Sequence, residues 1–378
     1  MKKALMLAPM GSVHRRFNKA NIDALQALDY EVELCANFQN GKGPEMHNQK
    51  FVEQCRKDDI VCYSIPFERH SLSGSIKCLP VLKQLLAERD YDIVHAHTEI
   101  GGLLLKMVGK IKGQKFFTPH GMSFWKGSSP KSQFVFKPLE RWICSGMDQN
   151  LGMNMEEVEY LQKWDKKSAN YVHGIGLNVQ RMQSPVRTRE EVRKEFGITD
   201  GVKMIASIGE LDDNKNHSTV IKAFVMTGRK DFKYVVCGVG PNKEMLEQQA
   251  ISQGFKDNVI LAGYRSDIPD VLNAADIFVF PSFHEGMPVS VLEAMACSLP
   301  VICSKIRGNV DIIKEGDNGY LFKPADVETL SKKIMLIMDD AEKRTTMGKK
   351  NVEFVKRFSL EAVTEELKNI YKYSNYGK

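Results

Sequence analysis

Short runs of apolar residues alternate with longer segments of helical periodicity along almost the whole chain. The pattern predicts strands at 3–8, 31–36, 60–65, 92–96, 115–118 and 148–152, and again at 203–208, 233–237, 258–262, 276–280, 300–303 and 319–322. Strands that alternate with helices in this way form parallel sheets covered by helices. The sequence therefore predicts an α/β fold.

The alternation is interrupted between the two halves of the chain. A polar, arginine-rich stretch follows Gly174–Leu177 before the strand pattern resumes near Lys203. A chain of 378 residues also exceeds the usual size of one domain. We predict two Rossmann-like domains, residues 1–178 and 179–357, facing a cleft, with an amphipathic segment at 358–378 that packs back on the first. Open sheets bind ligands at the carboxyl ends of their strands, so functional residues should follow strands.

Composition narrows the class of protein. With 43% hydrophobic and 26% charged residues the chain has the composition of a soluble globular protein. The eight cysteines form no CxxC pair and most lie in apolar runs, which indicates buried thiols in a reducing cytoplasm. No stretch approaches the roughly 20 apolar residues of a membrane span. The apolar run after Met1 is too short for a signal peptide, and we interpret it as a first strand that ends in a turn at Pro9–Gly11.

The net charge of +6 is mild and does not predict nucleic-acid binding, but the charges are unevenly distributed. Residues 100–139 contain seven lysines, six aromatic residues and no Asp or Glu. A basic, aromatic surface suits anionic lipid headgroups or a lipid-diphosphate substrate, and therefore contact with the inner face of a plasma membrane. Solvated helix lysines next to core aromatics would give the same pattern.

The most specific motif follows the apolar run Ile277–Phe280. Gly286 allows a close backbone turn, and Pro288 suits the first position of a helix, where its missing N–H costs nothing. The free amides at the start of that helix would face the crevice and favour a phosphate. Glu285 and Glu293 lie beside this anion site, where carboxylates can accept hydrogen bonds from ribose and hexose hydroxyls. A nucleotide sugar supplies all of these groups.

Residues 281–296 resemble the E-x7-E motif of retaining glycosyltransferases of family 4, which have the GT-B fold. The resemblance extends through 263–269, which contains Arg265, and through 307–309 and 318–321. It implies a hexosyl-type transferase (EC class 2.4) in which Glu293 binds the ribose and Glu285 the donor sugar. The diphosphate would be bound by Gly286, Met287, Pro288 and Val289.

The segment 209–217 resembles the site at which the family neutralises the leaving diphosphate with a basic pair. Lys215 matches the family lysine, whereas Glu210 stands where most members carry arginine. This departure removes one positive charge from the leaving-group site. The resemblance thus predicts a donor-binding set of Gly11, Ser12, Glu210, Lys215, Gly238, Arg265, Glu285, Gly286, Met287, Pro288, Val289 and Glu293.

Polar residues also follow strands in the first half. His120 resembles the family histidine that approaches the donor sugar and its phosphate, and with Lys215 and Glu285 it completes the predicted catalytic set. Gly11–Ser12 would form a glycine turn that meets the donor phosphate or the acceptor, and Gly238 would touch the base or allow close packing.

Two motifs raise the question of a metal. His95 and His97 share one face of a strand, where they are either two metal ligands without a third or polar strand ends. Asp90–Tyr91–Asp92 matches a DxD motif but precedes its strand, so we interpret it as a helix end. We predict no metal and no cofactor.

The resemblance implies sugar transfer with retention, in which lysine and helix amides stabilise the departing diphosphate while an acceptor hydroxyl attacks the same face. We expect a UDP-sugar donor and a lipid-linked or growing polysaccharide acceptor, as in capsule or exopolysaccharide synthesis. A UDP-sugar 2-epimerase is one alternative. The other is an accessory subunit that binds a nucleotide sugar without catalysis, which the glutamate at position 210 would explain.

Overall fold

The computed structural model describes residues 2–39, 41, 47–68 and 71–374. It divides into two compact units. The first comprises the described residues up to Gly176 together with those from Leu360, and the second comprises Leu177–Ser359. The divisions thus follow Gly176 and Ser359, where the sequence placed them after 178 and 357.

The first unit is built on a seven-stranded parallel sheet with the order β3-β2-β1-β4-β5-β6-β7. Its strands are β1 (Lys2–Met10), β2 (Tyr30–Asn37), β3 (Val61–Ser64), β4 (Ile93–His97), β5 (Gln114–Thr118), β6 (Gln149–Gly152) and β7 (Ala169–Tyr171). Its helices up to Gly176 are α1 (Gly11–Phe17), α2 (Lys19–Gln26), α3 (Asn48–Lys57), α4 (Leu72–Lys77), α5 (Leu79–Glu88), α6 (Thr98–Val108), α7 (Pro130–Cys144) and α8 (Met155–Trp164).

Side-chain alternation along β1 explains why this sheet is buried on both faces. Ala4 and Met6 lie in one apolar cluster, while Leu5 and Leu7 lie in the cluster on the other face. The strand continues through Pro9 and Met10, so the turn expected at Pro9–Gly11 is wrong. The register with β2 shifts between Leu7 and Met10, and such an irregularity accommodates a proline that cannot donate to the sheet.

The second unit contains a six-stranded parallel sheet with the order β10-β9-β8-β11-β12-β13. Its strands are β8 (Lys203–Ile208), β9 (Phe232–Cys237), β10 (Val259–Gly263), β11 (Ile277–Phe280), β12 (Val301–Ser304) and β13 (Gly319–Phe322). Its helices are α9 (Val179–Met182), α10 (Arg189–Glu195), α11 (His217–Thr227), α12 (Lys243–Ser252), α13 (Ile268–Ala274), α14 (Val289–Ala296), α15 (Asn309–Ile312), α16 (Val327–Met338) and α17 (Ala341–Val355). All twelve predicted strands are confirmed to within two residues at each end.

The strand order places a topological switch point in each sheet. In the second unit the chain runs outward from β8 to β9 and β10, and then returns to place β11 on the other side of β8. The loops that leave β8 and β11 therefore diverge to opposite faces and open a crevice at their carboxyl ends. In the first unit β1 and β4 are related in the same way.

The last helix, α18 (Leu360–Ser374), belongs to the first unit. Its residues Val363, Leu367 and Tyr371 are buried in the same apolar cluster as Ala4 and Met6. The segment 358–378 is predicted to pack on the first domain. The structure describes this packing for the helix Leu360–Ser374, and residues 375–378 lie outside the described residues. No helix in the described part of the chain combines the length and the apolarity needed to cross a membrane.

Candidate functional site

An ion pair lies at the switch point of the second unit. The Nζ atom of Lys215, in the loop after β8, lies 2.5 Å from Oε1 of Glu285, in the loop after β11. Only 21% of the lysine side chain and 15% of the glutamate side chain are exposed. The ammonium also lies 5.2 Å from the ring centroid of Phe280. A charged hydrogen bond in such a sheltered place is stronger than one at the surface.

Asparagine side chains fix the two loops against each other. The backbone carbonyl of Asn214 accepts a 2.8 Å hydrogen bond from the backbone N–H of Phe283, and the side-chain amide of Asn214 donates to the carbonyl of His284 at 3.1 Å. Asn216 adopts a left-handed backbone with φ of 53°, which asparagine tolerates better than most residues. Its amide donates to the carbonyl of Pro281 at 3.2 Å. The loop of Lys215 is thus held in register with the loop of Glu285.

Arg307, in the loop after β12, also borders the site and is only 7% exposed. Its Nη2 lies 2.8 Å from Nε2 of His284, and its Nε donates to the carbonyl of Glu285 at 3.2 Å. Burial, followed by the charges of Arg307 and Lys215, lowers the pKa of His284 to about 4. The imidazole is therefore neutral at pH 7, and its Nε2 accepts the hydrogen bond from Arg307.

Glycines let the backbones around this site approach closely. A Cβ atom at Gly238, at the end of β9, would overlap the carbonyl oxygen of Gly209. A Cβ atom at Gly308, where φ is 79°, would overlap the carbonyl oxygen of Gly286. The loops that surround Lys215 and Glu285 therefore have no room for side chains at these two positions.

The first unit has a histidine cluster at the carboxyl ends of β4 and β5. The rings of His95 and His97 stack with their centroids 4.2 Å apart, which confirms that they share a strand face. Nδ1 of His97 lies 2.9 Å from Nε2 of His120. His95 contacts the hydroxyl groups of Thr118, at 2.9 Å, and of Tyr371 on α18, at 2.7 Å. His120 has a left-handed backbone, with φ of 60°.

Burial keeps this cluster neutral. It lowers the pKa of His120 to about 4 and that of His95 to about 3, and it holds the pKa of His97 well below its usual value. Burial likewise lowers the pKa of His14, on the adjacent helix α1, to about 4. These rings therefore act at pH 7 as hydrogen-bonding groups and not as cations. Among the residues that the structure describes, no group of three or more His, Cys, Asp and Glu side chains is arranged to hold a metal ion.

Gly11 and Ser12 open α1 and do not form the expected turn. Both are buried, and a Cβ atom at Gly11 would lie 2.7 Å from the ring of Phe38. A glycine is needed at position 11 because the ring of Phe38 occupies the space that a side chain would fill, and not because the backbone turns there. The ring of Phe17 on the same helix lies 5.4 Å from that of His120, so α1 borders the histidine cluster.

Two family models match the chain, one in each unit. "Glycosyltransferase Family 4" matches residues 16–172, and "Glycosyl transferases group 1" matches residues 188–354. The chain is 28% identical to the putative glycosyltransferase EpsD of Bacillus subtilis (strain 168), across 98% of this chain and 96% of EpsD. The protein is a family 4 glycosyltransferase.

Two further similarities extend over nearly the full length of this glycosyltransferase. It is 25% identical to the UDP-Gal:alpha-D-GlcNAc-diphosphoundecaprenol alpha-1,3-galactosyltransferase of Escherichia coli, across 96% of this chain and 98% of that relative. The solved structure of HepE from Anabaena in complex with UDP-glucose superposes with a TM-score of 0.79 at 17% identity, covering 99% of this chain and all of that one. The fold of the glycosyltransferase is GT-B.

The structure brings together much of the predicted donor set in the second unit. Lys215 and Glu285 are in contact, and Gly286, Met287 and Pro288 continue the same loop into α14. The helix itself begins at Val289, one residue later than predicted, and Glu293 is half-buried within it.

Two members of the predicted set lie in different surroundings. Glu210 is exposed in the loop after β8. Arg265 forms ion pairs with Glu195 and Asp267 at 2.6 Å each, and stacks 5.5 Å from the ring centroid of Phe196. Its charge is therefore already balanced by two carboxylates, and donor binding by Arg265 stays a prediction.

The predicted set did not include Arg307, His284 or Asn214. Asn214 and Arg307 contact the loop of Glu285, which contains His284, from segments that are far away in sequence. Arg307 lies three residues after the end of β12, so the expectation that functional residues follow strands points to its loop.

Replacing Gly308 with alanine should lower kcat/KM for the donor by about 100-fold, because it displaces the loop of Gly286, which is predicted to bind the diphosphate. Gly316→Ala is the matched control. Gly316 has φ of 75°, and an added Cβ meets no atom within 4 Å. Both variants carry about 1–2 kcal/mol of left-handed strain, so Gly316→Ala reports the effect of that strain alone. Gly308→Ala also forces the loop of Gly286 to move, so it should unfold at the lower temperature of the two. Equal kinetics in the two variants would contradict a role for the Gly308 contact in donor binding.

Proposed function

We propose that this glycosyltransferase moves a hexosyl group from a UDP-sugar to a hydroxyl of a lipid-linked or growing polysaccharide acceptor, with retention of anomeric configuration. The observation that carries the proposal is the sheltered Lys215–Glu285 pair beside the start of α14. It joins a cation for the leaving diphosphate to a carboxylate for the donor sugar in one crevice.

The choice of donor and acceptor is supported by the similar proteins. The name of the Escherichia coli relative specifies a UDP-galactose donor and a diphosphoundecaprenol-linked acceptor. The structure of HepE was solved with UDP-glucose. Both similarities extend over the two units, and a capsular or exopolysaccharide precursor is an acceptor of the same class.

In the proposed reaction the bond between the anomeric carbon and the diphosphate oxygen breaks, and negative charge grows on the departing diphosphate. Lys215, Arg307 and the first amides of α14 stabilise that charge. Glu285 accepts hydrogen bonds from sugar hydroxyls, and Glu293 accepts them from the ribose. Since two side-chain cations supply the positive charge, we propose that turnover needs no metal.

His120 completes the proposed catalytic set. Its imidazole is kept neutral by burial, and a neutral imidazole still has one N–H to donate to the donor sugar or its phosphate. The acceptor oxygen bonds to the anomeric carbon on the face that the diphosphate leaves, and its proton passes to the departing diphosphate oxygen. Attack on this face preserves the anomeric configuration. Retention is proposed on the family resemblance of residues 281–296.

The test is nucleoside diphosphate release from a panel of UDP-, GDP- and dTDP-sugars, with EDTA and with or without membrane extract. We expect release from one UDP-sugar that requires the extract and survives EDTA. NMR of the product should show the anomeric configuration of the donor. Donor binding without turnover on any acceptor would instead favour an accessory subunit, and release of an epimerised sugar without acceptor would favour an epimerase.

Glu293→Gln should raise KM for the donor by about 10- to 100-fold with a smaller effect on kcat, because hydrogen bonds to a charged acceptor contribute to binding in both ground and transition states. Steady-state kinetics over donor concentration measure the split. Glu244→Gln, at an exposed position on α12, is the control and should leave both constants unchanged. An unchanged KM in Glu293→Gln would remove this residue from the donor site.

A further inference from the structure

The outer face of α7 is unusual for a helix exposed to water. Phe134 is 84% exposed, and Val135, Phe136 and Trp142 are each more than 40% exposed. Phe134, Pro138 and Trp142 recur at a spacing of four residues, so they form one stripe along about 12 Å of helix. The opposite face is the packed one, where Ile143 and Cys144 enter the apolar core. The stripe therefore does not contribute to the hydrophobic core of the first unit.

The charges on this face all have one sign. Lys131 and Arg141 are exposed beside the aromatic side chains, and neither has an ion-pair partner among the described residues. Lys106 on α6 extends the positive surface, with its ammonium 5.3 Å from the ring centroid of Trp142. The acidic residue of α7 itself, Glu140, is buried and accepts a hydrogen bond from the backbone of Ser123.

The acidic residues of the neighbouring elements are also engaged. Glu99 accepts a 2.9 Å hydrogen bond from the hydroxyl of Ser123. Glu159 on α8 pairs with Lys126 at 2.8 Å, and Glu156 accepts a hydrogen bond from the backbone of Lys126. The surface of α7 therefore presents apolar rings framed by positive charges that carboxylates do not balance.

We propose that this face of α7, defined by Lys131, Phe134, Val135, Pro138, Arg141 and Trp142, docks on an anionic lipid surface. The aromatic side chains enter the boundary between headgroups and acyl chains, and the cations contact the phosphates. The cationic charge favours an anionic membrane over a second copy of this chain. A symmetric dimer through this face would bring Lys131 and Arg141 against like charges.

The docking face deepens the proposed function, since a lipid-linked acceptor is anchored in the surface that α7 would contact. The sequence predicts a basic, aromatic surface over residues 100–139, but only some of these residues are exposed in the structure. Phe116, Phe117 and Phe124 are buried in the core and are unable to contact lipid, so the expected aromatic face is narrower than predicted and continues beyond 139 to Trp142.

The test is co-sedimentation of the full chain with vesicles of phosphatidylcholine alone and with vesicles that also contain phosphatidylglycerol. We expect binding to the anionic vesicles that weakens with added salt. Phe134→Ser combined with Trp142→Ser should lower the partition coefficient by about 10- to 100-fold, as expected for lost burial of large apolar side chains. Lys131→Glu combined with Arg141→Glu should abolish the preference for anionic vesicles. Val81→Ser, at an exposed position on α5, is the control and should bind normally.

Binding that is equal for the two kinds of vesicle, or unchanged in both double variants, would overturn the proposal. Another result would also overturn it: no binding to vesicles, together with self-association of the wild type in analytical ultracentrifugation that is lost when Phe134→Ser and Trp142→Ser are combined. Thermal unfolding checks that the variants fold.

A second readout separates this proposal from the proposed function. Diphosphate release with a detergent-dissolved lipid-diphosphate acceptor should be unchanged in both double variants. If the protein shows no transferase activity, the vesicle-binding experiment still tests the docking of α7. If α7 does not dock on vesicles, turnover with the detergent-dissolved acceptor still tests the transferase proposal.

Discussion

Lys215→Ala is expected to lower kcat by about 100- to 1000-fold, the loss seen when one group that stabilises transition-state charge is removed. The charge on the diphosphate grows as the glycosidic bond breaks, so the lysine contributes more to the transition state than to donor binding. KM for the donor should therefore change much less than kcat. Steady-state kinetics with the donor identified from the panel, together with a binding measurement by calorimetry, check both statements.

Two controls separate catalysis from structure in this experiment. Lys222→Ala changes an exposed lysine on α11 and should leave kcat unchanged. Removing Lys215 also leaves the mostly buried Glu285 without its 2.5 Å partner, which by itself destabilises the site. Lys215→Ala combined with Glu285→Gln relieves that charge. If the double variant recovered kcat, the lysine would be a partner of Glu285 and not a leaving-group residue.

Acidification is expected to destabilise the fold by several kcal/mol between pH 7 and pH 5. Buried histidines with a pKa lowered to about 3 or 4 remain neutral in the folded protein in this range, and they are His14, His95, His120, His217 and His284. In the unfolded chain they bind protons as pH falls below about 6.5, so the unfolded state gains protons that the folded state excludes. Each contributes a slope of about 1.4 kcal/mol per pH unit in that window, and stability is constant above it.

Urea unfolding at a series of pH values measures this slope, with fluorescence and circular dichroism compared because the two units can unfold separately. His14→Gln should reduce the slope by about 1.4 kcal/mol per pH unit, the contribution of one histidine. A free energy of unfolding that is flat from pH 7 to pH 5 would mean that these rings are already protonated in the folded protein.

The fold could be predicted from the sequence because buried parallel strands leave a clear signal. Apolar runs such as Ile277–Phe280 are buried on both faces and stand out from their helical neighbours. The missed strand, β7, consists of Ala169, Asn170 and Tyr171 at the edge of the sheet, where no apolar run is required. The irregularity that allows β1 to continue through Pro9 depends on how β1 pairs with β2. The sequence of β1 alone does not reveal that pairing.

The site was predictable only as far as it follows from single segments. Lys215 and Glu285 each follow a strand and each match a motif, so the sequence predicts both as site residues. Their contact is visible only in the structure. Arg307 and His284 act as a pair across two loops, and the neutral state of His284 depends on burial that forms only in the folded unit. Arg265 followed its strand as expected, yet partners from α10 and its own loop balance its charge.

The chain order of α18 sets a limit on how the first unit can be made. Tyr371 contributes its ring to the apolar core and its hydroxyl group to His95 and to Asn21, at 2.7 and 2.8 Å. A ribosome that has released residues up to Gly176 has therefore produced a sheet whose core is still open, and the second unit can finish folding before the first does. Until Tyr371 emerges, apolar surface that α18 will cover remains available to chaperones and to aggregation.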